Sequence, residues 1–173
     1  MGEQLLYGPN QVAEFPQSGP AYANDASAIN VPGRIIQYKG KLYRYVKFDN
    51  GAGDVDAVAG GVAHWKTLDP DTGSFVVTSD YDDSIGGKNS VAGVFEVAGV
   101  THGYYTWIVV GGVQHTKVAA ATVAGDRLIA GTTDMQFERI ATTVAPTENV
   151  YGVALDAYDT SGYARVLLQN LDW

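Results

Sequence analysis

The sequence predicts an all-β protein, a small β-barrel or sandwich built from hairpins and preceded by an extended N-terminal arm. Three observations predict it. Short apolar runs alternate with turns rich in Gly, Asp and Thr. One twenty-residue unit occurs twice. Amphipathic helical periodicity is nearly absent, and the best stretch, "TTDMQFERIATTV" at 132–144, suits a strand equally because of its threonines. A length of 173 residues fits one domain. The division expected is an arm over 1–33 and a single β-rich domain over 34–173.

The arm comes first. Residues 1–33 hold Pro9, Pro16, Pro20 and Pro32, four of the six prolines, and show neither helical period nor sustained alternation. Tyr7, Phe15 and Tyr22 punctuate it. Burying one such side chain is worth roughly 1.5–3 kcal/mol, so all three should find apolar contacts. The arm either packs along its own domain or reaches a neighbour. Its prolines lower the entropy lost on docking, which suits an arm seated on a neighbouring subunit.

From 34 to 48, "RIIQYKGKLYRYVKF" reads as a hairpin turning at Lys39-Gly40. Leu42, Val46 and Phe48 fall on one face of its second strand, and Tyr43, Tyr45 and Lys47 on the other. Five of the eleven basic residues lie here: Arg34, Lys39, Lys41, Arg44 and Lys47. They could form a docking patch for an acidic protein surface, or simply keep an edge strand from pairing promiscuously.

"DNGAGDVDAVAGG" at 49–61 imitates the spacing of a calcium loop, but Gly51 and Gly53 stand where ligands belong. A solvated turn is the expectation, and the same holds for "DYDDS" at 80–84.

The repeat follows. "VAGVFEVAGVTHGYYTWIVV" (91–110) aligns without a gap on "VYGVALDAYDTSGYARVLLQ" (150–169). Seven of the twenty positions are identical, including Gly93/Gly152, Val94/Val153, Thr101/Thr160 and Gly103/Gly162. Each unit begins with a strand that carries a Gly where backbones can approach closely. A Thr-x-Gly turn and a returning strand follow, so two similar hairpins are expected. A looser echo runs through "GVAHWKTLDPDTGSFVV" at 61–77. Within 103–131, Gly111-Gly112 reads as a turn between two strands, and "AGD" at 124–126 as a corner.

Composition narrows the function classes. A net charge of −8 repels phosphate backbones, so nucleic acid is not the expected partner. No apolar run approaches the ~18 residues of a membrane span, and no basic-then-apolar leader opens the chain. With no Cys there is no disulfide scaffold or thiolate metal site. His64, His102 and His115 lack metal-ligand spacing, and no Gly-x-Ser-x-Gly elbow occurs. Neither catalysis nor a metal or other cofactor is therefore expected. His102 and His115 read as exposed polar residues. The eleven Tyr and three Trp fit cross-strand packing, a protein interface or a sugar platform.

Two segments carry a resemblance: "GVFEVAGVTHGYYTWIVVGGVQHTKVAAATVAGDRLIAG" and the terminal "NVYGVALDAYDTSGYARVLLQNLDW". With its aromatic strand ending in Gly-Gly, a small-residue stretch, an "AGD" corner and a closing "GVAL" hairpin, the chain from about 91 resembles the head decoration (capsid cement) proteins of tailed bacteriophages. The resemblance implies a structural virion protein on the capsid exterior, made in the host cytoplasm. It also implies the major capsid protein as partner and a homo-oligomer, with a trimer favoured. Tyr7, Phe15, Tyr22, Arg34, Lys39, Lys41 and Arg44 are the candidate interface residues. The alternative reading is an adhesion or carbohydrate-binding β-domain.

Overall fold

The computed structural model describes residues 24–140 and 149–169. Tyr7, Phe15 and Tyr22 lie outside them. The expected all-β class holds: the described residues form ten strands and one short 3-10 turn at Gly87–Asn89.

β1 (Ile35–Tyr38) and β2 (Lys41–Asp49) make the hairpin expected at Lys39-Gly40. Both turn residues have positive φ, 47° and 78°, as a tight two-residue connection demands. β3 (Val62–Asp69) and β4 (Ser74–Thr78) form the next hairpin, closed by Asp69, whose carboxylate accepts from the Thr72 hydroxyl at 2.7 Å. β5 (Val91–Phe95) lies between β3 and the long β6 (Tyr105–Lys117). β2 then pairs with β4 in parallel and with β6 antiparallel. The ring β2-β4-β3-β5-β6 is thereby closed, a five-stranded barrel with few free edges.

The alternation expected of β2 is observed, but both of its faces are buried. Val46 and Phe48 point into the barrel, where Phe48 meets Phe95 edge-on at 5.5 Å. On the outer face Tyr45 packs on Tyr105 (5.7 Å) and on its cross-strand partner Trp107 (5.0 Å). Residues 24–33 roof this aromatic strip. Asp25 exchanges both backbone hydrogen bonds with Tyr105 and accepts from the Tyr45 hydroxyl at 2.8 Å. Asn24 is bonded twice to Thr101, and the Gly33 N–H donates to the Tyr45 carbonyl. Residues 24–33 of the predicted arm are thus fastened to the outside of the barrel.

Gly111-Gly112 is not a turn, a correction to the sequence reading. β6 runs through it for 13 residues and bends there, leaving one sheet for another. Gly112 has φ 96°, and a Cβ there would lie 2.8 Å from the Gly40 carbonyl oxygen. The β1–β2 turn rests on the bend, so only glycine fits.

Beyond the bend β6 pairs with β10 (Tyr163–Leu168), then come β9 (Gly152–Ala154), β7 (Arg127–Ala130) and the edge strand β8 (Phe137–Ile140). A parallel bridge between Val118 and Phe137 ties β8 back to the end of β6. The "AGD" corner is real: Gly125 donates to the Ala154 carbonyl, and the buried Asp126 accepts from the Val123 N–H before β7 starts. The ambiguous 132–144 stretch contains β8, a strand.

The two predicted hairpins, β5–β6 and β9–β10, sit side by side through β6 and β10. Gly103 and Gly162 both take positive φ in the turns, 82° and 91°. Gly93 and Gly152 both press on the partner strand: a Cβ would meet the Val109 oxygen at 2.6 Å or the Leu167 oxygen at 2.9 Å. The register differs by one residue. Val94 faces Val109, whereas the equivalent Val153 faces Leu167. One apolar core joins both sheets, from Trp65, Phe95 and Ile108 in the barrel to Leu128, Phe137 and Val166 in the second sheet.

Candidate functional site

The expected basic patch on the β1–β2 hairpin is not assembled. Arg44 is 2% exposed, with its guanidinium 5.6 Å from the centre of the Trp65 ring inside the barrel. It is therefore withdrawn from any docking surface, because even positions of β2 point inward. Lys41 is committed to both Glu96 oxygens (3.1 Å) and to Gln114 Oε1 (2.5 Å), a network that clamps the β6 bend. Glu96 and burial also act on Tyr43: loss of solvent, then the neighbouring carboxylate, push its phenol well above its ordinary pKa. Arg34 donates to Asn30 Oδ1 at 2.7 Å. Lys39, over the Tyr38 ring, is the exposed member.

A Ser, a His and an Asp do meet at His64, which is fully buried on β3. His64 Nδ1 lies 3.2 Å from Ser90 Oγ, the ring packs edge-on to Tyr81, and the Asp134 charge acts on it. The hydrogen-bond directions decide what this trio does. Ser90 Oγ donates to the Gly87 carbonyl at 2.6 Å, so toward His64 it accepts and Nδ1 carries the proton. Asp134 accepts from the Tyr81 backbone N–H at 2.8 Å. An activated serine would need the opposite polarity, with its own proton going to the imidazole. The His64–Ser90 bond fastens the β4–β5 loop to the barrel, and the Asp134–Tyr81 bond ties the β7–β8 loop to that loop. Burial pushes His64 down to about 4, the Asp134 charge opposing only in part.

The acidic turns are closed by their own donors. Asp80 is 7% exposed and accepts the N–H groups of Gly53 (2.9 Å) and Asp82 (3.0 Å). Lys66 bridges Asp49 (3.0 Å) and Asp83 (2.5 Å). Burial would raise the Asp49 carboxyl, but the Gly51 N–H and the Lys66 ammonium outweigh it and hold it below its ordinary value. Among the described residues no group of three or more His, Asp or Glu side chains is placed to hold a metal.

The surface feature that stands out was missed from sequence. On the outer face of the second sheet, Val113, Leu167 and Val153 are direct cross-strand neighbours on β6, β10 and β9. Val113 is 44% and Leu167 45% exposed. Leu155, 41% exposed, follows Val153 on the same face. The row is bordered by charge. Arg127 is the cross-strand partner of Val153, Arg165 pairs with Asp156 at 2.6 Å, and Lys117 stands at the end of β6. His115, 59% exposed in its side chain as expected, stacks on Tyr163 at 5.1 Å. His102 is equally exposed. The signal was present in "YARVLLQ": strict alternation leaves one residue of Val166-Leu167-Leu168 facing out, and it is Leu167.

No protein-family model and no curated protein matches the chain. Among solved structures it is similar to the N-terminal base of the head fibre protein gp8.5 of bacteriophage phi29. The TM-score is 0.48 and the identity 13%, over 76% of this chain and 96% of that one.

Proposed function

We propose that the chain is a structural protein of a tailed-phage virion that binds the outer surface of the capsid and stabilises the shell. The reading is supported by the resemblance borne by 93–131 and 149–173, and one observation carries it on the structural side. Strands β6, β9 and β10 of those segments expose a contiguous apolar row, Val113–Leu167–Val153–Leu155, which offers a face for interaction.

Magnitudes shape the proposal. Exposures of 41–45% on Val113, Leu155 and Leu167 leave on the order of 200 Å² of apolar surface, whose burial is worth about 5 kcal/mol gross. Association itself costs roughly 4–15 kcal/mol in lost freedom, so one such face binds weakly alone. Several copies acting together overcome that cost, which favours a homo-oligomer, and the resemblance implies a trimer. Each bound copy then raises the free energy of opening the shell by mass action.

Co-sedimentation with purified expanded capsids of the encoding phage tests this. The protein is expected to pellet with capsids in a fixed ratio to the major capsid protein and to raise their disruption temperature. A protein that stays in the supernatant at every ratio would overturn the proposal.

A further inference from the structure

In the free protein, the apolar row is placed and sized to receive another part of the same chain. We propose that it is the seat of the chain's own N-terminal residues 1–23. The inference does not depend on capsid attachment.

Four observations converge. First, the root of this segment is already held on its own barrel, by the Asp25–Tyr105 bridge and the paired Asn24–Thr101 hydrogen bonds. Second, it reaches. From Tyr105 to Val113 along β6 is about 26 Å, while 23 residues can extend to about 76 Å. Third, size and chemistry match. The row is well below the ~800 Å² per partner of a stable interface between separate proteins. A tethered segment has an effective concentration near the millimolar range and needs far less surface. Residues 1–23 supply Leu5, Leu6, Tyr7, Val12 and Phe15 as spaced anchors within reach of the row, with three prolines reducing the entropy of fixing them. Fourth, the segment carries Glu3 and Glu14 and no Lys or Arg, and the border of the row holds Lys117 and Arg127 beside the internally paired Arg165–Asp156 and His115–Asp159.

Such an arrangement puts the arm on its own subunit rather than a neighbour's. Where the same row also meets a capsid, binding exchanges one apolar cover for another.

The chain has no Cys, so a disulfide trap in the full-length protein is clean. Leu167→Cys is combined in turn with Tyr7→Cys, Val12→Cys and Phe15→Cys, leaving the other anchors intact in each. The same three are combined with Ile85→Cys, a 61% exposed site on the β4–β5 loop, as reference. In glutathione buffer at least one Leu167 pair is expected to close within a single chain about tenfold faster than its Ile85 counterpart. No preference for position 167 would overturn the proposal. So would a disulfide that joins two chains at every dilution, since the occupant would then be a second copy.

Discussion

His64 shows how much a single residue's surroundings decide. Its imidazole is buried neutral, donating to Ser90, with Tyr81 against the ring and Asp134 as the nearby charge, and its pKa falls to about 4. The unfolded chain, with an ordinary histidine near 6.5, takes up a proton first as pH falls. Stability is therefore complete above about pH 6.5 and is lost progressively down to about 4, a change of about 3 kcal/mol from this group. Urea midpoints at pH 7 and 4.5 check it: the drop should be markedly smaller in His64→Gln, and parallel drops would refute the assignment. The sequence did not reveal this burial, because one His in "VAHWK" carries no sign of which face it takes. The same limit hid Arg44, which alternation placed with Val46 and Phe48 but whose charge suggested solvent.

Among the elements, the hairpins were legible and the bend was not. Lys39-Gly40, Thr101-His102-Gly103 and Thr160-Ser161-Gly162 have turn chemistry and fold as turns. Gly111-Gly112 has the same chemistry, yet β6 continues through it. What decides is the β1–β2 turn lying on the bend, a contact seventy residues away in sequence that local patterning cannot contain. Two glycines can be tested together. Gly112→Ala puts a Cβ 2.8 Å from the Gly40 oxygen at a positive φ, and Gly152→Ala puts one 2.8 Å from Val166 Cγ1. Each should cost about 1–3 kcal/mol by chemical denaturation. Gly86→Ala, with φ −139° and its nearest neighbour at 3.6 Å, should stay within about 0.5 kcal/mol of the parent. Equal losses at all three positions would show that close backbone approach is not what these glycines provide.

The whole molecule is two sheets sharing β6 and one continuous core, which predicts a single unfolding transition. Leu128→Ala, fully buried in the second sheet, should cost about 2–5 kcal/mol. It should shift the fluorescence of Trp65 and Trp107 in the barrel as much as the far-UV dichroism, since neither half is buried without the other. Separate transitions would mean two independent units. Ring closure through β2–β6 and the parallel β2–β4 pair were not readable from the sequence, because both join strands far apart in the chain. The row on the outer sheet face was hidden for the same reason. Val113, Leu167 and Val153 become neighbours only once three strands from distant segments are in register.

That row is the centre of the account, and its most direct test is a binding isotherm on purified expanded capsids with the full-length protein and Leu167→Glu. The side chain is half exposed, so the substitution should leave the thermal midpoint within about 2 °C of the parent. Placing a carboxylate in an apolar contact should cost at least ~1.4 kcal/mol per site, a tenfold or greater loss of capsid affinity. Wild-type affinity in a folded Leu167→Glu protein would contradict the claim that this face makes the attachment.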